Sequence, residues 1–433
     1  MKKKFLMALM AFCMVASLAG CGDNGTSKKE VDIEENSIES GEPETSTKES
    51  NVGQETEKTQ QSNEKQEGDW NLTIDDEYTN LTASEGFEFE SNGDGTCTLT
   101  KIGTCTDSVV VIPEKSPAGD TVTMIAEYAF YDAEDIESIV FAGRTMELDT
   151  KAFQSCSVEK IVITGCDMVI GENAFSYCED IAEVYISNSK IDVGTYAFYD
   201  SGKDMDVKIV NCTGVLDEKS FQSCAAVELT ISGSTLKLDE NVFSYCEDIA
   251  TISVDNSVLE IGSYAFYDSG DDTVVTFADC NLDMEDKAFQ SSCLVTLTIT
   301  GCETVMGENA FSYCEDLTDV TVSANNTEIG SYSFYDCSDL ANVSIAADSE
   351  DDSITILLDD KAFQSSGVQN VIIGRGSVEL GDNAFSYCEN LTSVEFKGSS
   401  LKVGDYAFYD CPAELVINFN GSAYNKESIE NVK

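Results

Sequence analysis

Ala310-Phe311-Ser312-Tyr313-Cys314-Glu315-Asp316-Leu317, followed by Val320 and Val322, is one copy of a unit that fills most of the 433-residue chain. Its phenylalanine recurs at Phe130, Phe153, Phe175, Phe198, Phe221, Phe243, Phe266, Phe289, Phe311, Phe334, Phe363, Phe385 and Phe408. Successive steps are 22 or 23 residues, apart from one of 29 between Phe334 and Phe363. The extra residues fall around Asp348, Glu350, Asp351 and Asp352. They read as a solvated acidic loop inserted into one coil rather than as a calcium site.

Outward from the phenylalanine each copy has the same grammar. The Ala-Phe pair opens a short helix or turn, as in Ala174-Phe175-Ser176-Tyr177-Cys178. Alternating apolar positions such as Ile181, Val184 and Ile186 then predict one strand, a polar turn follows at Asn188-Ser189, and an Ile-Gly or Leu-Asp step leads onward. A unit this short cannot enclose a core, whereas stacked copies can, with the phenylalanines as a continuous buried spine. One strand per unit argues against a parallel β-helix, which needs several.

These units resemble the BspA-type leucine-rich repeats of bacterial surface proteins, whose pattern is roughly Ala-Phe-x-x-Cys-x-x-Leu-x-x-Val-x-Ile. The resemblance spans about residues 85 to 420. It implies an α/β solenoid of about thirteen 22–23-residue coils, roughly 65 Å long at strand spacing. It also implies an N-terminal β-hairpin cap, suggested by Phe87 and Phe89, the turn Asn92-Gly93-Asp94-Gly95, and Val109-Val110-Val111-Ile112-Pro113. Functionally it implies surface adhesion to host or microbial proteins, an inference that fold alone does not secure.

The N-terminus points to export. Lys2, Lys3 and Lys4 precede an apolar run from Phe5 to Ala19, too short to span a bilayer comfortably. Leu18-Ala19-Gly20-Cys21 resembles a bacterial lipobox, which implies lipidation of Cys21 and a membrane anchor outside the cytoplasm. The expected organisation is a signal peptide over 1–20, a disordered acidic and Ser/Thr-rich tether over 21–69, the cap over 70–125, the solenoid over 126–423 and a tail over 424–433. The tether, without aromatic residues, has too little apolar surface to fold, and as a flexible coil would reach about 40 Å.

Composition narrows the chemistry. A net charge of −55 disfavours nucleic-acid partners and charge-driven binding to anionic lipid. The absence of histidine removes His-activated nucleophiles and imidazole zinc sites. A carboxylate-pair glycosidase remains conceivable, but the acidic residues recur without singling out one unit. The expectation is a binding protein with no catalytic residue, metal or cofactor. Many of the 17 cysteines interchange with serine at fixed positions: Cys156 and Cys178 with Ser201, and Cys166, Cys212, Cys280 and Cys302 with Ser189 and Ser234. That suggests buried thiols, with Cys97 and Cys105 the first pair to consider for a disulfide.

Three kinds of unit cycle, so Phe130, Phe198, Phe266 and Phe334 are each 68 residues apart. Two positions before the phenylalanine the residues run Tyr128, Lys151, Asn173, Tyr196, Lys219, Asn241, Tyr264, Lys287, Asn309, Tyr332, Lys361, Asn383 and Tyr406. Tandem duplication accounts for this pattern; a periodic surface for a polymeric partner accounts for it too. Tyr128, Tyr196, Tyr264, Tyr332 and Tyr406 are candidate edge contacts. The outward strand positions, expected on the concave face, include Tyr185, Lys208, Thr230, Ser253, Thr276, Thr298, Thr321 and Ser344. A protein ligand is the leading expectation, and a wall or host polysaccharide the second.

Overall fold

The computed structural model describes residues 73–324, 326–346 and 353–431. The signal peptide, Cys21, the tether and the insertion around Glu350 lie outside the described residues.

Each coil makes two strands rather than the expected one. Glu183–Ser187 and Lys190–Val193 belong to one coil and enter different sheets. Sheet I collects the longer strands, such as Val158–Thr164 and Leu294–Thr300; sheet II collects the shorter, such as Val258–Ile261. Each sheet has fifteen strands in chain order, all parallel except one antiparallel strand at one end of each. Fourteen turns therefore stack at one strand spacing per coil. Identical positions lie in register, Val184 on Val207 and Ile186 on Ile209. Inward positions are apolar and the intervening ones are exposed or half-buried, as alternation requires.

The α/β expectation is corrected here: no helix lies within the described coils, and the solenoid is all β. The segment around each phenylalanine is a tight turn. In every coil the residues two before and two after the phenylalanine have positive φ, for example Lys219 at 61° and Ser223 at 57°. Two left-handed residues in five forbid a continuing right-handed helix. The turns still bond from coil to coil, always in one direction. The backbone N–H of Phe243 donates to the Ala265 carbonyl at 2.7 Å, and that of Tyr245 to the Tyr267 carbonyl at 2.9 Å.

The phenylalanines form the predicted spine. All thirteen are buried, and adjacent rings stack from 4.4 Å (Phe130–Phe153) to 5.6 Å (Phe385–Phe408) between centroids. Before the array, Glu88–Ser91 pairs antiparallel with Thr96–Lys101, and the Phe87 ring lies 6.0 Å from Phe130. After it, Ser422–Tyr424 pairs antiparallel with Val416–Phe419, and the helical turn Lys426–Ile429 follows, N-capped by Asn425. Ile429 is fully buried in the core, and Lys426 Nζ donates to the Cys411 carbonyl at 2.7 Å.

Candidate interaction surfaces

The Tyr-Lys-Asn row occupies the first left-handed position of each turn, with φ near 57–65° from Tyr128 to Tyr406. This brings the candidate edge residues onto one line of the array. Each tyrosine is held by neighbours. Tyr196 packs edge-on against Tyr199 at 5.3 Å, and Tyr199 in turn against Tyr177 of the preceding coil at 5.6 Å. From the following coil, Lys219 Nζ lies 5.8 Å from the Tyr196 ring centroid, within cation–π range. The same cluster recurs as Tyr245, Tyr264, Tyr267 and Lys287, and as Tyr313, Tyr332, Tyr335 and Lys361. Lys287 Nζ donates to the Tyr264 hydroxyl at 2.8 Å, a bond that raises the lysine pKa.

Tyr128 and Tyr406 are exposed, whereas Tyr196, Tyr264 and Tyr332 are half-buried by these partners. The more open rings inside the array are Tyr177, Tyr245, Tyr313 and Tyr387, which the sequence reading did not single out. Their signal was present in the Ser-Tyr pair that marks one of the three unit kinds.

Each junction between unit kinds has its own side-chain contact. Lysine meets tyrosine at one, and ring meets ring at another. At the third, Gln222 Nε2 donates to Ser244 Oγ at 2.9 Å, as Gln154, Gln290 and Gln364 donate to their serines. The order of the three kinds is thus written into packing.

The second candidate row also assembles as one ladder. Tyr185, Lys208, Thr230, Ser253, Thr276, Thr298, Thr321 and Ser344 are successive register partners on the outward face of sheet I, all half-buried. Its beginning is covered by the chain itself. Residues 73–84 form a strap over the first coils, beneath which Val111, Val140 and Val162 are buried with Tyr78 against them. The Asp75 carboxylate accepts from the Tyr185 hydroxyl at 2.9 Å, Ser187 Oγ at 2.5 Å and Asn188 Nδ2 at 2.8 Å. Its backbone N–H donates to Thr164 Oγ1 at 3.0 Å. Gly143 and Gly165 make room for the strap: a Cβ would lie 2.5 Å from Ile74 Cδ1 at the first and 2.8 Å from the Thr73 carbonyl carbon at the second. The strap leaves the ladder from Thr230 to Ser344 uncovered.

All fifteen cysteines among the described residues are thiols, Cys97 and Cys105 included. Those beside the phenylalanines are sealed in the core. Cys178, Cys246 and Cys314 donate to the phenylalanine carbonyl of the preceding coil at 3.1–3.2 Å. Burial pushes the thiols of Cys156 and Cys388 up to about 12, which leaves them inert as nucleophiles near neutral pH.

Stacked two-strand coils around a phenylalanine spine define a repeat solenoid. A family profile described as BspA type leucine-rich repeat region matches residues 114–228, 214–341 and 356–430. The chain belongs to this family. No curated relative matches it. Among solved structures, it is similar to a leucine-rich repeat protein from Bacteroides ovatus, with 20% identity, 79% of this chain and 88% of that chain covered, and a TM-score of 0.44. It is also similar to a leucine-rich cell surface protein from Faecalibacterium prausnitzii, with 19% identity, coverage of 78% and 89%, and a TM-score of 0.28. The pneumococcal vaccine antigen PcpA matches at 14% identity, with coverage of 82% and 95% and a TM-score of 0.25.

Proposed function

We propose that the protein is a surface-displayed, non-catalytic adhesion scaffold that engages a protein partner through its tyrosine edge. The observation that carries this reading is the recurrence, every third coil, of a rigid tyrosine cluster with a lysine over one ring. Tyrosine among serine and asparagine gives a large amphipathic contact area at little cost in side-chain entropy. Rings already held by neighbours lose little freedom when a partner docks. Repetition adds tethered contacts, so a partner with repeating epitopes binds far more tightly than one cluster would allow.

Changing Tyr177, Tyr245 and Tyr313 together to Ser is the test. It should weaken capture of a protein partner at least tenfold while leaving the unfolding midpoint within a few degrees. Unchanged capture with an intact fold would reduce the clusters to junction packing.

A second reading, binding of a wall or host polysaccharide, is favoured by the Ser/Thr ladder from Thr230 to Ser344, which offers a line of hydroxyls. Glycan-array signal without protein-array signal would select it. We place the scaffold outside the cytoplasm, anchored through a lipid on Cys21, with the Glu88–Lys101 hairpin shielding the first coil. The anchor rests on the lipobox resemblance. Cys21→Ala should move the protein from the membrane fraction to the medium, or leave it unprocessed; a processed variant retained in the membrane would exclude the lipid.

A further inference from the structure

In the row nine residues before each phenylalanine, cysteines stand in neighbouring coils at one place, Cys280 and Cys302; Cys166 and Cys212 are separated by Ser189. The two are held in register from both sides. Ala278 pairs with Thr300 two residues earlier in sheet I, and Asn281 pairs with Glu303 one residue later in sheet II. Parallel pairing at that register sets the two Cα atoms about 4.8 Å apart, inside the roughly 4.4–6.8 Å that a disulfide spans. Both side chains enter the same core, and the Cys280 backbone N–H donates to Cys302 Sγ at 3.3 Å.

Cys280 differs from the rest of its row in access. It is 6% exposed, whereas Cys166, Cys212 and Cys302 are 0%. A hydrogen bond from the Cys302 thiol holds the Cys280 thiol below its ordinary value, against the opposing effect of burial. The same bond, with burial, holds the Cys302 thiol up. A thiolate within reach of solvent beside a protonated partner is the arrangement of an attacking and a resolving cysteine. Cys224 and Cys246 make the contrast. Their sulfurs lie 3.4 Å apart, yet Cys246 is 0% exposed and burial pushes its thiol far up. Proximity there comes without a nucleophile.

We propose that Cys280 and Cys302 form a cross-coil disulfide on reaction with a small dialkyl disulfide, a redox staple within the array. The Cys280 thiolate attacks one sulfur of R–S–S–R; the S–S bond breaks, and RS⁻ leaves and takes up the proton that Cys280 had released. Cys302 then loses its proton, attacks the Cys280 sulfur and expels the second RS⁻, which takes up that proton. The two protein thiols are oxidised and the reagent is reduced to two thiols, so no other oxidant is needed. The staple lies beside a weak stretch. Thr304, in the Cys302 coil, and Thr327, in the following one, are buried with unpartnered hydroxyls, and the strand Thr327–Ile329 has only three residues. Opening that starts there must pass a covalent tie to spread towards the N-terminus. The tyrosine edge takes no part, so the staple stands or falls independently of the function proposed above.

The test is to incubate the reduced full chain under native conditions with excess 2-hydroxyethyl disulfide, an uncharged reagent that an acidic surface does not repel, then block free thiols and map the peptides. The Cys280 and Cys302 peptides should be recovered joined, with no reagent attached. The unfolding midpoint should rise by several degrees and return on reduction. Cys302→Ser puts into the slot the residue that Ser189 and Ser234 already supply in other coils, so this variant should fold. The reagent should then leave Cys280 capped as a mixed disulfide, and the midpoint should show no such rise. Recovery of Cys280 and Cys302 as free thiols overturns the proposal, as does a bond joining Cys224 to Cys246 in preference. A Cys280–Cys302 bond that fails to raise the midpoint overturns it too, because the bond would then distort the coils it joins. So does a Cys302→Ser chain whose Cys280 stays uncapped, since Cys280 would not be the attacking thiol.

Discussion

Serine and cysteine interchange nine residues before the phenylalanine because both do one job there. The Cys212 backbone N–H donates to Ser234 Oγ at 3.0 Å, the Ser234 N–H to Ser257 Oγ at 3.1 Å, and the Cys280 N–H to Cys302 Sγ at 3.3 Å. Each side chain also donates to a carbonyl two residues back, as Ser234 Oγ does to Ser232 at 2.9 Å. The slot asks for a small group that accepts and donates at once. Ser234→Ala strands the buried Cys212 N–H and should cost about 1–3 kcal/mol. Ser234→Cys should lie within about 1 kcal/mol of wild type; denaturant unfolding checks both. The interchange was legible in the sequence, and buried thiols followed from it. Its reason was not legible, because the amide it serves belongs to a residue 22 positions away.

At the scale of elements, the phenylalanine spine and the longer strand could be read from spacing and alternation. The shorter strand could not. Lys190-Ile191-Asp192-Val193 shows only two inward positions, too few to separate a strand from a step between turns. The turn was equally hidden: tyrosine, lysine and serine at positive φ carry none of the glycine signature that marks such positions elsewhere. They sit there because the coil-to-coil bonds on either side of them over-determine the backbone. Ser291, at φ 60°, has a backbone N–H bonded to the Ser312 carbonyl, and its side chain supports nothing comparable. Ser291→Gly should therefore stabilise the array by up to about 1 kcal/mol, and Ser291→Val should destabilise it, as thermal unfolding would show. The strap over sheet I was invisible for a related reason, since Asp75 bonds to residues more than a hundred positions later.

At the scale of the whole molecule, a charge of −55 sits on a fold that depends little on ion pairs. Burial raises the carboxyl pKa values of Asp217, Asp359 and Glu430 above their unfolded values, with neighbouring carboxylates adding to the effect. In the window between the two values the folded chain binds more protons than the unfolded chain. Stability from these groups is thus fully present below the ordinary carboxylate pKa and is lost as pH rises through the raised ones. Relief of like-charge repulsion acts in the same direction. The unfolding midpoint should rise as pH is lowered from neutrality towards the ordinary carboxylate range. A midpoint that falls across that range would contradict this balance. Direction also matters along the length of the array. At every junction the turn amides point towards the C-terminal coil and the turn carbonyls towards the N-terminal one. Their peptide dipoles therefore add, as they do in an α-helix, but with the sense reversed: the positive pole lies at the C-terminal end. The column of phenylalanine turns thus has an electrical polarity of its own, set by backbone direction and not by any charged side chain.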